Sequence, residues 1–120
     1  MLPVHFKLPL PPTINHYYKQ RRNGGRYIGE EGVLFRQQVK IITAAGPHFG
    51  DSRLNLEIVL HFKTRARNDL SNRIKSLEDA LMHAGLFNDD EQIDILTVRR
   101  GDVIKSGLCV VTITRLLDTE

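Results

Sequence analysis

A single cysteine, Cys109, occurs in the 120 residues, so no internal disulfide can form, which suits a reducing cytoplasm. Its neighbours Leu108 and Val110 suggest a strand position and a packed thiol, not a nucleophile. No pair of His or Cys residues has zinc-ligand spacing, and no zinc site is expected. The apolar runs are short and broken by charge, none approaching the roughly 20 residues that cross a bilayer, so no membrane partner is expected. The N-terminus, MLPVHFKLPLPP, lacks a charged region ahead of a long apolar stretch, which argues against a signal peptide. The fragment GGRYIG lacks the strand-to-helix setting and the lysine of a phosphate loop, and nothing points to a small-molecule cofactor. Internal repeats and low-complexity segments are absent as well.

The most informative absence is one of sign. From Glu78 to Asp94 there is no Lys or Arg, only Glu78, Asp79, Asp89, Asp90, Glu91 and Asp94. Residues 1 to 40 are the reverse, with Lys7, Lys19, Arg21, Arg22, Arg26, Arg36 and Lys40 against Glu30 and Glu31. Lys63, Arg65, Arg67, Arg73 and Lys75 then surround Asp69. A net charge of +3 hides this segregation. It suits a polyanion-binding face with an embedded cation site, since phosphates attract cations and a divalent metal attracts carboxylates. Several solvated faces would produce the same pattern.

What is present builds one core. A hydrophobic content of 41% suffices for a single domain spanning 1–120, and a chain this small gains stability by pairing with a second copy. Val4 to Leu10 reads as a strand stopped by Pro11-Pro12. Pro11 to Gly29 reads as a long loop with four basic residues and Tyr17, Tyr18 and Tyr27. Rings stack on bases and guanidinium groups hold phosphates, so this loop is a candidate nucleic-acid contact, or its tyrosines simply pack it down. A helix follows from Glu30, with Leu34, Ile41 and Ala45 on its recurring face and Gly46-Pro47 at its end. Leu54, Leu56, Ile58, Leu60 and Phe62 alternate with Asn55, Glu57, Val59 and His61, the period of a strand with one buried face. Leu70, Ile74, Leu77, Leu81 and Ala84, closed by Gly85, give a second helix. Ile93 to Arg99 and Leu108 to Leu116 complete the chain as strands. The expected fold is α+β, order βαβαββ, a mixed sheet with two helices, parallel crossovers in both strand-helix-strand units and a terminal antiparallel hairpin.

The segment RARNDLSNRIKSLEDALMHAGLFNDDEQID concentrates the chemistry. Asp69 falls at the end of the second strand or the start of the second helix, Lys75 in that helix's first two turns, and Asp89 with Asp90 just before the next strand. If ends of neighbouring strands bring these together, carboxylates hold magnesium, Lys75 neutralises a phosphoryl oxygen, and Asn72 orients water or a carboxylate. On spacing alone the plainer reading is favoured: Asp69 as a helix cap, Asp89 and Asp90 opening a turn, and Lys75 bridging Asp79.

Three motifs are similar to those of the RusA family of crossover (Holliday) junction endodeoxyribonucleases of phages and prophages. Pro11, Pro12 and Asn15 match its Pro-Pro-x-x-Asn segment. Asp69, Asn72 and Lys75 match an Asp-x-Asp-Asn segment with a lysine three residues on. Asp89 and Asp90 match an Asp-Asp pair after Ala84-Gly85. The resemblance implies a RusA-like homodimer that binds a four-way DNA junction and nicks two strands symmetrically with Mg2+, for which Mn2+ substitutes, in recombination and repair. It assigns metal or catalytic roles to Asp69 and Asp90, a catalytic cation to Lys75 and an outer position to Asp89. Asn15, Tyr17, Tyr18, Arg21, Arg22, Arg26, Arg65, Arg67, Asn72 and Arg73 would lie on DNA. One position departs: Ser71 stands where the family has its second aspartate. A hydroxyl is a weaker ligand than a carboxylate. Ser71 therefore holds the metal through water, or the protein binds junctions and cuts them poorly.

Overall fold

The computed structural model describes residues 2–117; the remainder of the expected 1–120 domain lies outside the described residues. The clearest periodicity of the sequence becomes a central strand. In β4 (Leu54–His61) the side chains of Leu54, Leu56, Ile58 and Leu60 are buried and those between them are not. It lies between β5 (Ile93–Arg100), which is parallel to it, and β6 (Leu108–Arg115), which is antiparallel. β1 (Val4–Leu8) pairs antiparallel with the far edge of β6, giving the order β1-β6-β4-β5.

This arrangement confirms the mixed α+β sheet and corrects two connections. β1 and β4 run the same way but are separated by β6, so the first strand-helix-strand unit is not a pair of neighbours. The last two strands form no hairpin, because β4 lies between them. Composition explains the exchange. β5 carries Asp94, Arg99 and Arg100, and charges on a strand are tolerated at an edge. β6 presents Cys109, Val111 and Ile113 to the core and can be paired on both sides. The buried Cys109 thiol is pushed up to about 12 by desolvation, so it is packed and unreactive as expected.

α2 (Glu30–Thr43) begins where the sequence places it but turns a different face inward. Gly32, Phe35, Val39 and Thr43 are buried, whereas Leu34 is 54% and Ile41 76% exposed. Phe35, Val39 and Thr43 recur every four residues and carry the largest ring of the helix. Gly32 admits a close approach, since a Cβ there would meet Tyr17 O and Ile28 Cγ2 at 2.7 Å. The apolar stripe of Val33, Leu34 and Ile41 is thus left outside. α3 (Ile74–His83) buries Leu77, Ala80 and Leu81 as its spacing requires, follows a 3-10 turn at Ser71–Arg73, and ends at Gly85 with φ +83°.

The expected loop from Pro11 to Gly29 is ordered. It contains the one-turn helix α1 (Ile14–Tyr17) and a hairpin of β2 (Tyr18–Gln20) and β3 (Arg26–Ile28). Gly24 and Gly25 turn its tip at φ 92° and 76°, a conformation that glycine adopts without strain. Among the described residues no helix is long and apolar enough to cross a membrane. Phe35→Ala is expected to cost about 3–5 kcal/mol by chemical denaturation, while Lys40→Ala in the same helix stays within about 0.5 kcal/mol. Equal losses would mean that Phe35 does not anchor α2.

Candidate functional site

Lys75, in the first turn of α3, places Nζ 3.0 Å from Asp90 Oδ2. The hydrogen bond from Lys75 holds the Asp90 carboxyl below the usual carboxylate range, and the same bond raises the Lys75 ammonium. Glu78, one turn along α3, is raised by burial and by the charge of Asp90. Lys75 therefore bridges to Asp90 and not to Asp79. Glu78 has no motif that marks it in the sequence; its place three residues after Lys75 is its only signal.

Asp90 is presented by a 3-10 turn, Asp90–Gln92, that Asp89 caps. Asp89 Oδ1 accepts the Glu91 N–H at 3.2 Å. Gln92 is the hidden fastener. Its Oε1 accepts the N–H groups of Asn88 and Asp89 at 2.8 and 2.9 Å, and its Nε2 donates to Gly50 O and Ser52 O, each at 2.8 Å. A buried amide satisfied at both ends fixes the acidic turn to the segment before β4. The turn reading of Asp89 holds, and the turn leaves the partly exposed Asp90 carboxylate to Lys75.

Asp69 is exposed and makes no hydrogen bond among the described residues. It caps nothing: the following 3-10 turn has Leu70 at its cap position and no side-chain cap bond. Ser71 opens that turn exposed, and Asn72 is half-buried within it. The argument from neighbouring strand ends does not hold. Leu54 pairs with Ile93 and Leu60 with Arg100, so Asp69 leaves the C-terminal end of β4 whereas Asp90 precedes the N-terminal end of β5. Among the described residues no three His, Cys, Asp or Glu side chains converge, so Asp69, Asp89 and Asp90 form no three-carboxylate cage.

The basic and aromatic candidates divide. Tyr17 is fully buried; its hydroxyl donates to Asp79 and accepts from Arg36 Nε at 2.8 Å, while Arg36 Nη2 meets Asp79 at 2.6 Å. No base can stack on that ring, which corrects its assignment to the DNA face. Burial pushes the Asp79 carboxyl up, and the Tyr17 and Arg36 bonds more than reverse it, leaving it below the ordinary range. Arg73 is also spent internally: it donates to Pro11 O at 2.6 Å and Asn68 Oδ1 at 3.2 Å and lies 5.2 Å over the Phe62 ring. It is not a free phosphate ligand. Asn15, Arg21, Arg22 and Arg26 remain exposed on α1 and the hairpin. Arg26 stacks on the half-buried Tyr18 at 4.1 Å and Arg21 on Tyr27 at 5.2 Å. Arg65 and Arg67 stand on a ridge, residues 63–68, between grooves of about 580 and 390 Å³.

Comparison with known proteins gives this arrangement a class. Residues 9–114 match the family model described as Endodeoxyribonuclease RusA. A crossover junction endodeoxyribonuclease of Enterobacteria phage HK97 is 37% identical over 113 residues, covering 92% of this chain and 93% of its own. That of Enterobacteria phage 82 is 36% identical, covering 93% and 94%, and that of Escherichia coli O139:H28 is 37% identical, covering 92% and 93%. The protein is a DNA-hydrolysing enzyme of the endonuclease class. More particularly, the chain belongs to the RusA family.

Lys75→Met should return the Asp90 carboxyl toward its ordinary value, read by carboxyl-carbon NMR titration. Because the folded-state value of Asp90 is depressed, the stability that the pair contributes is present above the unfolded carboxylate range and is lost as pH falls through the folded value. The variant should lose that part of the acid dependence. An Asp90 titration unmoved by Lys75→Met would mean that the pair does not persist in solution.

Proposed function

We propose that the protein resolves four-way DNA junctions by nicking two strands symmetrically, in recombination and repair in the cytoplasm, with residues 1–120 as one nuclease domain. The observation that carries this reading is the state of Asp69. Its neighbours on both sides are fastened, while its own carboxylate is exposed and unengaged beside the arginine ridge. The names of the relatives, crossover junction endodeoxyribonucleases, support the substrate.

The donor set suits a hard divalent cation. Mg2+ is commonly held by one or two carboxylates together with waters and substrate phosphates, so the lack of a three-carboxylate cage among the described residues does not conflict with it. Asp69 and Asp90 would hold it, related not through strand ends but through α3, whose first turn follows Asp69 and is tied to Asp90 by Lys75, with Ser71 through a water and Asp89 supporting Asp90; Mn2+ has the same ligand preference. When bound, the ion supplies an activated water and charge neutralisation at phosphate. Lys75 Nζ spends one hydrogen on Asp90 and keeps two for a phosphoryl oxygen on which charge develops. Arg65 and Arg67, with Arg21, Arg22 and Arg26, hold backbone phosphates, and Asn15 and Tyr18 lie on the same face as the hairpin. A second reading, a junction binder that cuts poorly, is favoured by Ser71. Asp69→Asn and Asp90→Asn are expected to abolish nicking of labelled junctions while retaining binding, and Ser71→Asp to raise the rate. Nicking by Asp69→Asn at the parental rate would remove Asp69 from the site; a parental protein that gains cutting only through Ser71→Asp would establish the second reading.

A twofold substrate calls for two equivalent sites, and the stripe on α2 suits a second copy. An antiparallel crossing sets Leu34 of one copy against Ile41 of the other. It also brings the acidic first turn, Glu30 and Glu31, toward Lys40 in the last turn. Sedimentation at micromolar concentration should show a dimer that Ile41→Asp dissociates. A dimer unaffected by Ile41→Asp uses another face.

A further inference from the structure

We infer that Arg100 is a positioning residue for the nicking reaction, acting on the peptide bond that carries Asp69. The inference rests on the catalytic role proposed for Asp69. Arg100, the last residue of β5, donates from Nη2 to the Asn68 carbonyl at 2.7 Å. A peptide unit is planar, so fixing the Asn68 oxygen fixes the Asp69 nitrogen and Cα in the same plane. Asp69 itself makes no bond that could do this among the described residues.

The hold is built around one ring. Phe62, 2% exposed, has the Arg100 guanidinium 4.8 Å and the Arg73 guanidinium 5.2 Å from its centroid. A cation over a ring face is attracted by the ring quadrupole, so each arginine is held where it can donate onward. Arg73 takes the Asn68 side chain and Arg100 its carbonyl. Asn68 Nδ2 closes the segment on Ala66 O at 2.9 Å. The two arginines differ in reach. Arg73 belongs to the turn that follows Asp69 and takes the Asn68 side chain, whereas Arg100 is paired in the sheet beside Leu60 and ties the peptide unit before Asp69 to the frame. A displacement of about 1 Å at a reacting group costs on the order of 100-fold in rate, which sets the scale of what such a tie protects.

The test compares Arg100→Ala, Arg100→Lys and Asp69→Asn on labelled four-way junctions at saturating protein, with junction affinity measured at two salt concentrations. Arg100→Ala should lower the nicking rate by about 10- to 100-fold with affinity within about threefold of parental. Arg100→Lys, which can still donate to the carbonyl and lie over Phe62, should recover to within about fivefold. In metal-free protein, the Asp69 amide should gain mobility in 15N relaxation in Arg100→Ala and regain its order in Arg100→Lys. Should Arg100→Ala fail to fold, Arg100→Gln, which keeps a donor but no charge, takes its place. A normal saturated rate, or weakened binding with a flatter salt slope, would make Arg100 a DNA ligand or a bystander and overturn the inference. So would an Asp69 amide unchanged in all variants, a readout that stands even where the parental protein does not cut. Parental nicking by Asp69→Asn would instead overturn the role of Asp69, leaving the amide measurement to decide the clamp.

Discussion

Strand β4 is paired along both edges, to β6 on one side and β5 on the other, and the segments that carry Asp69 and Asp90 are placed by its register. Its alternation admits one solution, because a slip of a single residue would send Leu54, Leu56, Ile58 and Leu60 to the open face and bring Asn55 and Glu57 into the core. The segment bearing Asp69 leaves one end of this strand, and the turn bearing Asp90 lies before the other end of its parallel neighbour. α3 spans the interval, and Lys75 is the side chain that reaches from its first turn to the acidic turn.

The charge reversal of the chain resolves in three dimensions into pairs. Asp79 is taken by Arg36 and Tyr17, Asp90 by Lys75, and both Glu91 and Asp94 by Arg53. Asp89 is spent on a cap and Glu78 is half-buried with a raised carboxyl. What looks like an acidic patch in one dimension is therefore largely neutralised, whereas Asp69, which stands apart from the run, keeps an open carboxylate. The arginines sort the same way: Arg36, Arg53 and Arg73 hold the fold together, while Arg65 and Arg67 project beside the grooves.

Much of this was legible in the chain, for a physical reason. A period of two in β4 and spacings of three and four in α3 record burial directly, and both elements fall where the sequence puts them. In α2 two apolar faces compete. Periodicity cannot say which is covered by this chain, and Phe35 with Val39 wins inside while Leu34 with Ile41 is left outside. Strand order was not legible, since β5 and β6 are adjacent in sequence and pairing depends on the charges that β5 cannot bury. Among the candidate residues, Asp69, Lys75 and Asp90 stand out in the sequence as motif positions. The fasteners Gln92, Phe62 and Arg100 do not, because an amide, a ring and a guanidinium on separate elements meet their partners only after the sheet is assembled. Tyr17 misled for a related reason: a tyrosine beside arginines describes a base platform and a buried hydrogen-bonding network equally well.

The burial of Cys109 in the middle of β6 has a practical bearing. A thiol with no access to solvent and a strongly disfavoured thiolate leaves the rest of the described surface chemically silent toward maleimides and spin labels. A cysteine placed at a chosen surface position of this otherwise unaltered chain would be the one that reacts. Probes set on the hairpin tip and on the ridge at residues 63–68 would then report, in a single-label background, how the separation between those two basic elements changes as a polyanion settles against them.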